Sequence, residues 1–325
     1  MRYRAIPGTD LKPSVICMGG GPLSRENDDE AVFQLLDAYY ELGGNFIDSA
    51  NVYGKWLPSG KNVCDINIGK WIKSRGLQDE IIITSKGAHP PLDNMIKPRL
   101  QRDAVSRDLD ESLSALGCGC IDLYYLHRDD PSIPVETIID YMNGFVREGR
   151  IRYFAASNWH PARIAAAQAY AAKAGKHGFC ANQLMWSFAV PDLSEAADPL
   201  LRAMDAETEA FHCQSGMAAV AYESQAKGYF QKYAKAPTAM SVQLKAVYGS
   251  PVNKSRYQRA ARLAADLDAK LGDVTLGYVL NQPFPSFAII GSRTVEQVKD
   301  SVSAADLHLT PEQIAYLRED TNYCR

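Results

Sequence analysis

The chain has 325 residues, of which 46% are hydrophobic and 22% charged, the balance of an ordinary soluble globular protein. Thirty-five Lys+Arg against 38 Asp+Glu give a formal net charge of −3, and no block of like charge stands out, which excludes the basic footprint of a nucleic-acid binder. No apolar stretch approaches the roughly 18 residues that cross a bilayer, so neither nucleic acid nor membrane is expected as a partner.

The first four residues, Met1-Arg2-Tyr3-Arg4, lack the apolar core of a signal peptide. Seven scattered cysteines do not make a disulfide framework. Cys118-Gly-Cys120 is a close pair, but no matching Cys/His pair accompanies it, so no metal site is expected. A cytoplasmic enzyme is the expectation.

Short apolar runs alternate with amphipathic stretches along the whole chain. Eight runs read as buried strands: 15–18, 45–48, 81–84, 121–126, 151–156, 178–181, 217–221 and 286–290. They are rich in Ile, Val, Phe and Tyr and lack the alternation expected of a sheet with one wet face, as parallel strands covered on both sides do. Helical periodicity spans 29–42, ending at Gly43-Gly44, and 99–116, ending at Gly117. The stretches 134–148 and 161–174 each open on a helix-compatible proline.

Strand–helix alternation repeated eight times predicts a closed (β/α)8 barrel, a TIM barrel of the α/β class, rather than an open sheet. Residues 3–12 read as an N-terminal β-hairpin around Pro7-Gly8-Thr9-Asp10, placed to plug the barrel floor. An insertion at 223–253 precedes a helix near 255–271, and another helix follows Thr310. No linker or repeat divides the chain, so residues 1–325 read as a single barrel domain with long loops on the C-terminal face.

Chemistry in such barrels sits where the strands end. Those positions carry Asp48, then Tyr53; Lys86; His127; Ser157-Asn158; Asn182-Gln183; Tyr222; and Gly291-Ser292-Arg293. Singly, Asp48 could cap a turn, Lys86 be a solvated loop residue, and His127 a satisfied buried histidine. Together they converge on one rim. A tyrosine is a poor acid at neutral pH until an ammonium lowers its pKa. A carboxylate can hold that ammonium, and a histidine can place a carbonyl oxygen. Such a set protonates a developing alkoxide, while the hydride must come from a nicotinamide cofactor.

These residues lie in motifs that resemble the aldo-keto reductase family over nearly the full length. They are 45–54 (NFIDSANVYG), 84–87 (TSKG), 122–127 (DLYYLH), 149–152 (GRIR) leading to Ala156-Ser157-Asn158, Asn182-Gln183, and 289–294 (IIGSRT). The resemblance implies reduction of an aldehyde or ketone by NADPH. Tyr53 would be the general acid, Lys86 would lower its pKa, Asp48 would pair with Lys86, and His127 would position the carbonyl. Ser157, Asn158 and Gln183 would hold the nicotinamide carboxamide, with Trp186 stacked on its ring. Tyr222, Ser224, Gln225, Lys227 and Gly228 would follow the pyrophosphate. Gly291, Ser292, Arg293, Gln297 and Ser301 would grip the adenosine end.

Two positions depart from the family pattern. Cys64-Asp65 stands where Ser-Glu is common, and Asp300-Ser301 where Glu-Asn is common. Arg293 suits a 2′-phosphate, because a guanidinium binds phosphate bidentately, which favours NADP over NAD. Trp56, His89, Arg128, Asp129 and Trp159 are the candidate substrate wall, and that mixed rim suggests a polar, sugar-like carbonyl. The alternatives are a Schiff-base aldolase acting through Lys86 and a cofactor-binding regulatory protein with low turnover.

Overall fold

The computed structural model describes residues 1–196 and 198–318. Among these, eight parallel strands close into a barrel in chain order: β1 (Ile16–Gly19), β2 (Phe46–Asp48), β3 (Ile82–Gly87), β4 (Ile121–Leu126), β5 (Ile151–Ser157), β6 (Ala181–Met185), β7 (Ala218–Tyr222) and β8 (Ser286–Ile290). β1 pairs with both β2 and β8, which seals the cylinder.

Two apolar layers explain why the strands looked uniformly hydrophobic. Inside the barrel, Phe46, Leu123, Tyr125, Ala155, Ala181, Ala218, Val220 and Phe287 form one cluster. Outside, residues of the opposite parity, such as Ile47, Tyr124, Leu126, Phe154 and Leu184, pack beneath the helices. A strand side chain alternates faces with period two, so the inward parity continues upward from each interior residue. It runs from Phe46 to Asp48, from Tyr125 to His127, from Ala155 to Ser157, from Ala181 to Gln183 and from Val220 to Tyr222.

The hairpin forms as expected. The Arg4 amide donates to the Pro13 carbonyl and the Ile6 amide to the Leu11 carbonyl. Ile6 and Leu11 then join the interior cluster and close the floor.

Strand 178–181 is displaced, since β6 starts at Ala181 and runs on through Asn182 and Gln183. Those amides resembled a strand end but are buried within the strand. A helix not marked by periodicity, Val63–Arg75, follows β2. Its buried face includes Asp65, Asn67 and Gly69, which dilutes the apolar stripe. The insertion folds into helices Tyr229–Lys235 and Val242–Tyr248, anchored by buried Tyr229, Phe230 and Tyr248. The helix after it spans Pro251–Asp266, starting earlier than 255.

Candidate active site

Asp48 ends β2 and Lys86 lies one residue before the end of β3. Lys86 Nζ donates to Asp48 Oδ2 at 2.6 Å and to the Ser49 carbonyl at 2.8 Å. Asp48 Oδ1 accepts from Gln183 Nε2 at 2.8 Å and from Thr84 Oγ1 at 3.2 Å. The side chains of this ion pair are 0% and 4% exposed, so water screens it little. Burial, the largest single effect, would lower the Lys86 pKa, but Asp48 together with Tyr53 and Cys17 turns the net shift upward.

Tyr53 comes from the turn after β2 and stands over this pair, with Lys86 Nζ 5.1 Å from its ring centre. The His127 ring faces it edge-on at 6.0 Å. Burial raises the Tyr53 pKa, and Lys86 opposes that only in part. Lys86 thus acts in the expected direction, downward, while desolvation of the phenolate is the larger effect and leaves the net shift upward. His127 is held well below the usual histidine pKa, first by burial and then by the neighbouring Arg128. Its Nδ1 is enclosed and unpartnered among the described residues. An enclosed N–H without an acceptor costs more than a bare lone pair, so the neutral ring carries its proton on Nε2, as a donor.

A cavity of about 190 Å3 opens above Tyr53 and His127. Its wall includes Trp56, His89, Arg128, Ser157, Asn158, Gln183 and Tyr222. Asn158 takes a left-handed φ of 62°. Its Oδ1 accepts from the Tyr222 hydroxyl at 2.6 Å and from the Arg202 amide at 3.0 Å.

A profile of the aldo/keto reductase family matches residues 15–320. The chain belongs to the aldo/keto reductase family. It is 28% identical to an uncharacterized oxidoreductase, YrpG, of Bacillus subtilis, covering 98% of this chain and 95% of that one. An aryl-alcohol dehydrogenase [NADP(+)] of Phanerodontia chrysosporium is 26% identical, covering 98% and 85%. The fold is similar to that of a thermostable aldo-keto reductase, Tm1743, with a TM-score of 0.70 at 22% identity, covering 98% and 99%. The chain is thus an oxidoreductase of the NAD(P)H-dependent kind that this family comprises.

Away from the cavity, Ser224 Oγ donates to the Ile289 carbonyl at 2.6 Å, tying β7 to β8. Gln225 Nε2 donates to Ser301 Oγ at 3.1 Å, and Ser301 lies 3.3 Å from Ser292 Oγ. The Arg293 amide donates to Gln297 Oε1 at 2.8 Å. Arg293 itself is exposed and in no ion pair among the described residues. Lys227 pairs with Glu223 at 3.0 Å, and Gly228 has φ 75°. The residues expected along the two halves of a dinucleotide are thereby gathered between the ends of β7 and β8.

Two tryptophans lie elsewhere than expected. Trp186 is three residues past Gln183, hence on the opposite parity, and packs outward on Tyr278 and Phe284. Tyr222 supplies an aromatic ring at the cavity instead. Trp159 is buried against Phe179 at 5.0 Å, with Arg163 over its ring. The left-handed turn at Asn158 interrupts the strand parity that would have pointed it inward. Asp129 is held by Arg163 at 2.9 Å.

Two contributions were not read from the sequence, that of Gly20 and the bracing role of Asp65, a residue noted there only as a departure from the family pattern. A Cβ at Gly20 would lie 2.8 Å from Tyr53 Cδ2 and 2.9 Å from the Asp48 carbonyl oxygen, so this position admits Tyr53 only while it lacks a side chain. The run Gly19-Gly20-Gly21 after β1 was the available signal. Asp65, fully buried, accepts from Ser49, Asn62 and Ser85, bracing the residues that adjoin Asp48 and Lys86.

Proposed function

We propose that this single-domain barrel is a cytoplasmic, NADP-dependent reductase that converts an aldehyde or ketone to an alcohol, with Tyr53 as general acid. The observation that carries this reading is the buried Lys86–Asp48 pair beneath Tyr53, with His127 across the ring. A raised pKa keeps Tyr53 protonated through neutral pH, which suits proton donation to a developing alkoxide. Lys86 lowers the cost of the phenolate left behind. His127 Nε2 donates to the carbonyl oxygen and fixes it beside the phenol.

The residues fit a nicotinamide dinucleotide. Ser157, Asn158 and Gln183 present amide and hydroxyl groups for a carboxamide, and Tyr222 offers a ring for the nicotinamide face. Ser224, Gln225, Lys227 and Gly228 suit the pyrophosphate, and Ser292, Arg293, Gln297 and Ser301 the adenosine end. The bound cofactor would supply the hydride that no side chain can. The exposed Arg293 guanidinium, in no ion pair among the described residues, suits a 2′-phosphate, in keeping with the NADP(+) named for the Phanerodontia relative. Comparing KM for NADPH and NADH tests this; a clear preference for NADH would remove that role.

Trp56, half exposed at the cavity mouth, provides a flat apolar surface beside the polar His89 and Arg128. That combination suits a polar, sugar-like carbonyl stacked on the indole. A second reading, an aryl aldehyde, is favoured by the same ring together with Tyr53 and Tyr222, and three relatives carry aryl-alcohol names. The aldolase reading loses its footing because a Lys86 held cationic by Asp48 is a poor nucleophile.

Loss of absorbance at 340 nm with NADPH and a panel of small hydroxy aldehydes, sugars and benzaldehydes decides among these. No turnover across the panel, with cofactor bound, would favour the regulatory alternative.

A further inference from the structure

Two polar side chains of the cavity wall, Arg128 and His89, belong neither to the proton-transfer set nor to the residues proposed to hold the cofactor. Arg128 is 6% exposed. Its Nη1 donates one hydrogen to the His127 carbonyl at 2.8 Å and its Nη2 is tied to Asp198, which leaves each Nη a second hydrogen to donate, while its Nε is enclosed without a partner among the described residues. His89 lies beside His127, ring centres 4.8 Å apart and edge to face. His89 Nδ1 is 2.7 Å from the Pro90 carbonyl oxygen. That oxygen can only accept, so Nδ1 carries the ring proton. Burial and the nearby Arg128 keep the ring neutral, which leaves Nε2 as a lone-pair acceptor.

A donor and an acceptor therefore flank the histidine that would fix the carbonyl oxygen. We propose that His89 and Arg128 form a subsite for a hydroxyl on the carbon next to the reacting carbonyl, making 2-hydroxy aldehydes and ketones the preferred substrates. A hydroxyl answers both groups, donating to His89 and accepting from Arg128. A carboxylate offers no proton to His89, and Asp198 already neutralises the Arg128 charge that would attract it. An apolar substituent leaves both polar groups unsatisfied, which selects against it.

This inference rests on the reductase reading, so the test separates the two. Rates with NADPH are measured for 2-hydroxypropanal and for propanal, which differ in that hydroxyl alone. The wild-type kcat/KM should favour 2-hydroxypropanal by about tenfold to a hundredfold. The ratio should fall toward one in His89→Phe and in Arg128→Met. Using the ratio cancels any general loss of activity, and His89→Phe decides the matter if the buried Arg128 variant fails to fold. A wild-type ratio near one, or an unchanged ratio in His89→Phe, would overturn the subsite while leaving the reductase intact.

If neither aldehyde is turned over, and no sugar or benzaldehyde of the panel is either, the reductase reading fails. Binding then decides the subsite, with 1,2-propanediol compared to 1-propanol by intrinsic fluorescence. Stronger diol binding that is lost in His89→Phe supports the subsite, and equal binding of the two alcohols refutes it.

Discussion

An aspartate–lysine pair and an arginine bridging two aspartates, with almost equal bond lengths, stand at opposite ends of the barrel. At the rim, Lys86 meets Asp48 at 2.6 Å with both side chains enclosed. At the floor, Arg152 bridges Asp122 at 2.6 Å and Asp10 at 2.7 Å, with 41% of its own side chain exposed. The bond lengths are alike, but the surroundings are not. Water and salt screen the floor pairs, whereas the rim pair acts across a low-dielectric interior, where its charges are felt by Tyr53 and where removing one leaves the other stranded. The floor organises the hairpin, and the rim carries the chemistry proposed for it.

The largest effect should come from the rim. Tyr53→Phe should lower carbonyl reduction at least about a thousandfold while nearly preserving cofactor affinity; retained turnover in steady-state assays would overturn the mechanism. Lys86→Met should lower kcat by about a hundredfold or more and destabilise the fold by about 3–5 kcal/mol, because Asp48 remains buried without its partner. Arg152→Met at the floor should leave kcat unchanged and shift Tm by no more than about 2 °C. Equal losses of stability in the two variants, measured by thermal denaturation, would erase the distinction between the ends.

Gly20→Ala should come next, lowering kcat by about tenfold to a hundredfold. The added Cβ would lie 2.6 Å from Cys64 Sγ and 2.8 Å from Tyr53 Cδ2, so the ring must shift, and small misplacements of a reacting group are costly. A variant with unchanged kcat would show that Tyr53 has slack in its seat. The pH profile of reduction follows from the same seat. Reduction needs the protonated phenol, whose pKa lies above its ordinary value of 10. The rate should therefore stay level from pH 6 to 9 and decline only in more alkaline solution. A break near pH 6.5 would assign the controlling proton to a histidine instead.

The contrast also explains what was legible in the sequence. Asp48, Lys86, His127, Ser157 and Gln183 could be found because strand ends and motifs marked them, and period-two parity carries each inward. Parity also accounts for the failures. The role of Trp186 came from the family resemblance alone, whereas its place three residues past Gln183 turns it to the outer face, and Trp159 follows a left-handed Asn158 that no local pattern announced. Helix Val63–Arg75 was obscured because it buries Asp65 and Asn67, polar residues satisfied inside the protein, Asp65 by Ser49, Asn62 and Ser85 and Asn67 by the Leu23 and Arg25 carbonyls. Gly20 carries no chemistry to notice; its role exists only in the space that Tyr53 takes.

The smallest predicted effect is on stability against pH, and it separates the two ends once more. His127 at the rim has a folded pKa well below 6.5, set by burial. The unfolded chain therefore binds a proton there that the folded chain refuses. This contribution is complete above pH 6.5 and is lost as pH falls, at a limiting slope of about 1.4 kcal/mol per pH unit for each such histidine. Asp10 at the floor is also depressed, chiefly by the Tyr153 hydroxyl and then by Arg152, but its contribution is lost only below the ordinary carboxylate value of 3.8. Between pH 7 and 5 His127 at the rim should respond and the Asp10–Arg152–Asp122 bridge at the floor should not. In thermal denaturation over that interval, His127→Gln should flatten the dependence of Tm on pH, and Arg152→Met should leave its slope as in the wild type. An unflattened slope in His127→Gln would mean that the ring takes up its proton inside the folded barrel, and that the rim is wetter than its geometry indicates.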